Sequence, residues 1–244
     1  SIVDVAMVQL IAEKRGIPLN KVSVTFQNDP LCNYFQAHCY IFPPRPALRL
    51  ARDIIVYCVK TMPLASPLNV SMGGITRNHG CSAAMELAIT LGEMREYIQK
   101  VLETGLGIDE FAPRITFLSY AFLGDFFEEV AKFRCFRRMW AQMMKNEFGA
   151  KDPKSMQVRV HGQGPGTTKT RQQPINNIIR GTLDALVAVL AGVQSLHVTP
   201  YDEAIESPTE EGSILGLRTQ QIIAYESGVT KVVDPLGGSY YVEY

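Results

Sequence analysis

His161 and His197 stand at the ends of short runs in which polar and apolar residues alternate, Met156-Gln157-Val158-Arg159-Val160-His161 and Gln194-Ser195-Leu196-His197. An imidazole so placed can donate, accept or shuttle a proton. It can equally be a core histidine satisfied by its neighbours. Arg77 and His79 are further residues with acid–base capacity. The four histidines show no metal-ligand spacing. None of the five cysteines, at 32, 39, 58, 81 and 135, falls in a C-x-x-C pair, and no serine or cysteine stands beside a base that sequence alone can show. Gly162-Gln163-Gly164-Pro165-Gly166 has the glycines of a phosphate-cradling loop, but Pro165 and the lack of a Gly-Lys-Ser/Thr ending set it apart from a nucleotide P-loop.

The segments that must position these residues alternate between extended and helical. Apolar spacing predicts helices over 3–15, 30–38, 47–61, 82–104, 123–148, 175–191 and 210–227, the run Ile175, Ile178, Ile179, Leu183, Leu186 and Leu190 keeping a clean helical period. Strands are expected at 21–27, 67–73, 114–119, 156–161 and 193–198. A helix after every strand is the pattern of parallel βα units, in a barrel or a doubly wound sheet. Parallel strands are ordinarily covered on both faces and read as continuous aliphatic runs. These do not. Val22, Val24 and Phe26 interleave with Ser23, Thr25 and Gln27; Leu68, Val70 and Met72 with Asn69, Ser71 and Gly73; Ile115 and Phe117 with Arg114 and Thr116. Helices must cover the apolar face. Burying the polar face unpaired costs on the order of 1–3 kcal/mol per group, so it is expected to line a cavity filled by water or by a long polar ligand. An antiparallel sheet with one wet face would alternate in the same way, but the helix after every strand speaks against it.

The 244 residues, 46% of them hydrophobic, suffice for a sizeable core and are read as a single domain over 1–244. With 24 basic against 24 acidic side chains there is no electrostatic footprint for nucleic acid or an anionic membrane. No run of eighteen apolar residues occurs. Ser1-Ile2-Val3-Asp4 lacks the start of a signal peptide, and the odd cysteine count suits a reducing compartment, so the expected location is the cytoplasm.

Several stretches resemble one known family: Thr25-Phe26-Gln27-Asn28-Asp29, Tyr40-Ile41-Phe42-Pro43-Pro44-Arg45-Pro46, Asp109-Glu110-Phe111-Ala112-Pro113-Arg114, Pro153-Lys154-Ser155-Met156, Asn176-Asn177-Ile178-Ile179-Arg180, Gln194-Ser195-Leu196-His197 with Asp202-Glu203-Ala204, and Val233-Asp234-Pro235-Leu236-Gly237-Gly238. Together they are similar to the substrate-binding chain of the adenosylcobalamin-dependent acyl-CoA mutases, the methylmalonyl-CoA and isobutyryl-CoA mutase family. The resemblance implies an α/β (β/α)8 TIM-type barrel threaded by the pantetheine arm of coenzyme A, with a lumen of small hydrophilic residues. It implies that this chain supplies about five βα units, barrel strands 4–8, and carries no cobalamin-binding domain. Another chain would then supply the missing strands, and a cobalamin-binding subunit would bring adenosylcobalamin to the oligomer.

Residue by residue, the resemblance places Arg114, Thr116, Lys154, His161, Gln163 and Ser195 against coenzyme A, Arg and Lys suiting its phosphates. Lys154 read alone could be a solvated charge, and Arg114 part of a structural ion pair. Glu203 matches the glutamate that holds the adenosyl ribose, with Thr199 where the family has asparagine. Thr25 and Gln27 match residues near the acyl group. Two departures stand out. The family's Tyr-His pair beside the thioester is Ile75-Thr76 here, and the carboxylate-binding arginine (or glutamine) position is Ala37. An unpaired substrate carboxylate in a dry lumen is heavily penalised, which argues against methylmalonyl-CoA. The implied activity is a radical 1,2-rearrangement of an acyl-CoA or acyl-phosphopantetheine, an isomerase function completed by partner chains. The alternative is a repurposed subunit that binds pantetheine thioesters without cobalamin chemistry. A third reading keeps the thioester but puts acid–base chemistry on Arg77, His79 or His161.

Overall fold

The structure, a computed structural model, describes residues 2–36, 41–71 and 76–244. Four strands, β1 Leu68–Val70, β2 Ile115–Tyr120, β3 Val160–Gln163 and β4 Ser195–His197, follow one another in chain order in one sheet. β1 pairs with β2 and β3 with β4 in parallel, which removes the antiparallel alternative for these strands. With helices in every connection, this is an α/β arrangement consistent with an arc of a TIM-type barrel. The chain divides into two compact units: Ser1–Thr76, Ala84–Phe117 and Arg137–Arg159 form the first, and Arg77–Ala83, Leu118–Phe136 and Val160–Tyr244 the second.

In the first unit the helices are α1 Ile2–Lys14, α2 Pro30–Gln36, α3 Pro44–Thr61, α4 Ala83–Leu102 and α5 Ile108–Phe111. Pro44 and Pro46 occupy the first turn of α3, where the fixed φ helps and the missing N–H is no loss. The expected first strand is extended but joins by a single parallel bridge, Thr25 to Ser66. Phe26 N–H donates to Ser66 O at 2.9 Å and Ser66 N–H to Val24 O at 2.8 Å. Phe26 enters a core with Val5, Ile54, Cys58, Met62 and Ala65. On β2, Ile115 and Phe117 are buried, Phe117 edge-on to Trp140 of α6 (Phe126–Asn146) with ring centroids 5.1 Å apart. Trp140 is fully buried and its one polar atom donates to Ser155 O at 3.1 Å. β3 starts at Val160, later than the alternation at 156–161 suggested, because Pro153–Met156 closes a 3-10 turn capped by the Asp152 carboxylate.

The second unit holds β3, β4, α7 Asn176–Leu190, α8 Glu210–Tyr225 and α9 Tyr240–Glu243. Gly162 of β3 lets α7 approach closely: a Cβ there would lie 3.0 Å from Ala188 Cβ. Thr209 caps α8, its hydroxyl accepting from Gly212 N–H at 3.1 Å. Ala185, Val198 and Ile223 form a core cluster with Leu196 against it.

Candidate functional site

The pleat decides which side chains of β3 and β4 are available. Val160 and Gly162 are buried; His161 and Gln163 alternate with them, and the register sets His161 beside Ser195 and Gln163 beside His197. His161 Nδ1 lies 2.7 Å from Ser195 Oγ. Burial of the His161 ring lowers its pKa, with His197 adding to the effect, so the imidazole is neutral at pH 7. His197 is open to solvent along one side, yet desolvation against its neighbours lowers it too, with Glu203 opposing.

Beyond β4 an open groove is lined by His197, Pro200, Glu203, Ser213 and Gln220. Glu203 is exposed in it, and Gly166 leaves room there, since a Cβ on Gly166 would sit 3.7 Å from Glu203 Cγ. Thr199 does not join this groove as a donor. It is buried, and its hydroxyl is given to Gly164 O. The glycine-rich loop is pinned to the interior as well. Lys169 is buried with Nζ 2.7 Å from Asp184 Oδ2 and 2.9 Å from Thr168 Oγ1, so its charge serves a buried pair and not a phosphate. Burial raises Asp184 and Lys169 opposes the shift.

Arg77 is likewise spoken for. Nη2 meets Glu129 Oε1 at 2.6 Å and Nη1 the Cys81 carbonyl at 2.5 Å, while fully buried Glu129 takes Lys132 Nζ at 2.8 Å on its other oxygen. Arg77 is thus a clamp on the segment it belongs to. His79 is exposed.

In the first unit Thr25 and Gln27 are exposed on the face opposite Val24 and Phe26. Gln27 Nε2 donates to Ser71 Oγ at 3.0 Å. Asn69 Nδ2 donates to Thr116 Oγ1 at 2.9 Å, and the Ser66 and Thr116 hydroxyls lie 3.1 Å apart. This stretch of the polar row therefore satisfies much of its own hydrogen bonding. Arg114 is half-buried, its Nη1 buried without a hydrogen-bond partner, and it opposes the upward push of burial on the Cys58 thiol, which reaches about 11. Lys154 is exposed on the Pro153–Met156 turn. Asp109 organises this corner, accepting from Ser155 Oγ at 2.7 Å and Lys151 N–H at 3.0 Å; those two bonds hold its carboxyl below the usual range. Thr76 is buried. Ala37 and Ile75 lie outside the described residues.

Sequence reasoning missed one cluster. Asp29 accepts from Ser71 N–H at 2.9 Å, the Tyr97 hydroxyl at 3.0 Å and Cys32 N–H at 3.2 Å. Glu93 of α4 is buried, with neither carboxyl oxygen in hydrogen-bond geometry. Burial first, and then the Asp29 charge, raise Glu93 well above the usual carboxylate range. The same causes push the Tyr97 hydroxyl up and the Cys32 thiol to about 12. The spacing held the clue: Glu86, Thr90, Glu93 and Tyr97 recur along one face of α4, and all four are buried.

A parallel sheet with helices in its connections is an α/β arrangement consistent with part of a TIM-type barrel. The methylmalonyl-CoA mutase family profile matches residues 1–244, and the chain belongs to that family. Over 238 residues it is 50% identical to the 2-hydroxyisobutanoyl-CoA mutase large subunit of Aquincola tertiaricarbonis, covering 98% of this chain and 42% of that protein. Over 231 residues it is 42% identical to methylmalonyl-CoA mutase of Rhizobium meliloti and to the mitochondrial methylmalonyl-CoA mutase of Homo sapiens, covering 95% of this chain and 32% and 30% of theirs. The chain thus spans less than half the length of these relatives.

Proposed function

We propose that this chain is the acyl-CoA-binding part of a mutase that carries out a radical 1,2-rearrangement on a thioester. The observation that carries the reading is the polar row of β3 and β4, with His161 bonded to Ser195 and His197 in register with Gln163. Neutral imidazoles, an amide and a hydroxyl suit the two amides of a pantetheine arm, which need both donors and acceptors. Lys154 supplies an exposed cation for the phosphates. The partners are a segment that closes the barrel and a cobalamin-binding subunit; the compartment is the reducing cytoplasm, in keeping with free Cys32, Cys58, Cys81 and Cys135. Among the described residues, no helix is long and apolar enough to cross a membrane.

The residues fit adenosylcobalamin in part. Glu203, open in the groove next to His197, suits the two hydroxyls of a ribose as an acceptor; Thr199, its hydroxyl committed to Gly164 O, does not. When bound, the cofactor supplies a carbon radical by homolysis of its cobalt–carbon bond. The chain's part is to hold the thioester, orient its acyl end and keep water away.

Titration calorimetry of the full-length protein with acetyl-CoA and with acetyl-pantetheine tests the reading. Ser195→Ala should weaken both ligands, and Lys154→Ala only the one with phosphates, each by about fivefold, the worth of one exposed polar contact. Absence of binding to either ligand overturns it. A second reading, a thioester-binding subunit without cobalamin chemistry, draws on the burial of Thr76, which keeps its short hydroxyl from reaching as an exposed imidazole would. Turnover that depends on adenosylcobalamin and is lost in Glu203→Ala excludes it.

A further inference from the structure

We propose that Asp202 is a positioning residue: through its bonds to Thr209 it fixes the turn that presents Glu203 to the groove beyond β4. The inference deepens the functional reading above and rests on it for the groove's ligand, the ribose of the adenosyl group. Asp202 is buried, whereas Glu203, the next residue, is exposed in the groove with His197, Ser213 and Gln220. Asp202 Oδ2 accepts from Thr209 N–H at 2.9 Å and from the Thr209 hydroxyl. Its other oxygen, Oδ1, is buried without a hydrogen-bond partner among the described residues and lies over Gly212 in the first turn of α8. A Cβ on Gly212 would stand 2.4 Å from Oδ1 and 2.6 Å from Oδ2, so the carboxylate seats there because that residue has no side chain.

The turn is closed by its own backbone and tied down on both sides. Glu203 N–H donates to Pro200 O at 3.3 Å, Ile205 N–H to Asp202 O at 2.8 Å and Glu206 N–H to the same oxygen at 3.1 Å. Before Glu203, fully buried Asn177 of α7 donates from Nδ2 to Tyr201 O at 2.8 Å, and the Thr199 hydroxyl is given to Gly164 O. After Glu203 the chain runs on to α8, and the Asp202 carboxylate joins the turn to the start of that helix. Thr209 passes the connection on, its hydroxyl accepting from Gly212 N–H at 3.1 Å. A carboxylate that must meet two hydroxyls of a ribose gains from being held beforehand, because a turn ordered only on binding subtracts its lost freedom from the affinity. Without the Asp202 bonds the turn keeps its anchor at Tyr201 and loses the one to α8, and Glu203 is no longer held beside His197.

The His197 imidazole reports where Glu203 stands. Desolvation lowers its pKa, the Glu203 charge opposes that, and His161 of β3 is its other titratable neighbour. NMR titration of the full-length protein, with His197 assigned by its loss in His197→Gln, reads the midpoint. Glu203→Gln should lower it, and Asp202→Ala should lower it too. Gly212→Ala should do the same, since its methyl displaces a carboxylate that is otherwise intact, and it keeps the test open should Asp202→Ala not fold. In the Glu203→Gln background, Asp202→Ala should move the midpoint no further, a coupling that a loss of stability alone would not produce. Calorimetry with adenosine is the second arm: Glu203→Gln should weaken it by about tenfold, the worth of a charge-assisted contact, and adding Asp202→Ala should weaken it no more. A midpoint unmoved in Glu203→Gln, or moved there but not in Asp202→Ala and Gly212→Ala, overturns the proposal, and so does a fall of equal size with and without Glu203. If adenosine does not bind the wild type, the ribose reading fails by itself, and the His197 midpoint still decides whether Asp202 positions Glu203.

Discussion

Burial disfavours the charged form of both His161 and Glu93, yet they pull stability in opposite directions as pH changes. The folded protein binds a proton at His161 less readily than the unfolded chain, whose value is about 6.5. Between the folded value and 6.5 the unfolded chain carries more protons, so stability rises with pH; the contribution is full above about 6.5 and is lost as pH falls through the folded value. Calorimetric melting should therefore show a smaller fall in Tm from pH 7 to pH 5 for His161→Gln than for the wild type. His197 has the same sign and preserves part of the fall in the variant. Glu93 is raised, so its contribution is full below the unfolded value of about 4.3 and is lost as pH climbs towards the folded one. Urea unfolding at pH 5 and pH 9 should find Glu93→Gln gaining on the wild type with rising pH. Equal differences at the two values would mean that Glu93 is ionised throughout.

At the scale of elements, the loop from β3 to α7 and the contact of β3 with α7 are held by terms of different kinds. Lys169 and Asp184 are both buried and bonded at 2.7 Å. Breaking such a pair from one side leaves a bare charge and costs about 3–5 kcal/mol, whereas replacing both partners by apolar groups is often neutral. Lys169→Met should thus destabilise by about that amount in denaturant unfolding, and Lys169→Met with Asp184→Leu should recover most of it. Gly162→Ala should cost about 1–3 kcal/mol in the same assay because its methyl would meet Ala188 Cβ at 3.0 Å and both Val193 methyls at 3.2 Å. The alternation that exposed the two faces of the strands was legible because one face had to meet helices, and Phe26, Ile115, Phe117 and Val160 do. The limits of pairing were less legible. Nothing in Val22 to Gln27 tells a laddered strand from a segment with the single Thr25–Ser66 bridge, since the partner lies some forty residues away. The pairing of Arg77 was not legible because its partner, Glu129, belongs to another element. Glu93 was readable in principle from its helical stripe with Glu86, Thr90 and Tyr97, but charge on a helix is ordinarily solvated and masked the pattern.

On the scale of the whole molecule, the 244 residues cover 30–42% of their curated relatives, and the sheet among the described residues has four strands in line with β4 at its end. A sheet with ends lets water reach its polar face. Ser195 and His197 on β4 are exposed accordingly. A closed (β/α)8 barrel would shield the same row and strengthen each polar contact by lowering the local dielectric. A phosphate held at an exposed lysine is screened by salt, with a Debye length of about 10 Å at 0.1 M, whereas contacts inside a closed wall are screened far less. The 244-residue chain alone should therefore bind acyl-CoA weakly, and its affinity should fall between 50 mM and 500 mM salt. Supplying the segment that closes the barrel, fused or as a separate chain, should tighten binding by at least tenfold and reduce the salt dependence. Rearranged thioester, followed by mass spectrometry with adenosylcobalamin and the cobalamin-binding subunit present, should form only in the completed assembly, because a radical rearrangement needs walls that keep out water and side reactions. Turnover by the 244-residue chain with that subunit and no further segment would show that the polar row is shielded without a closed barrel.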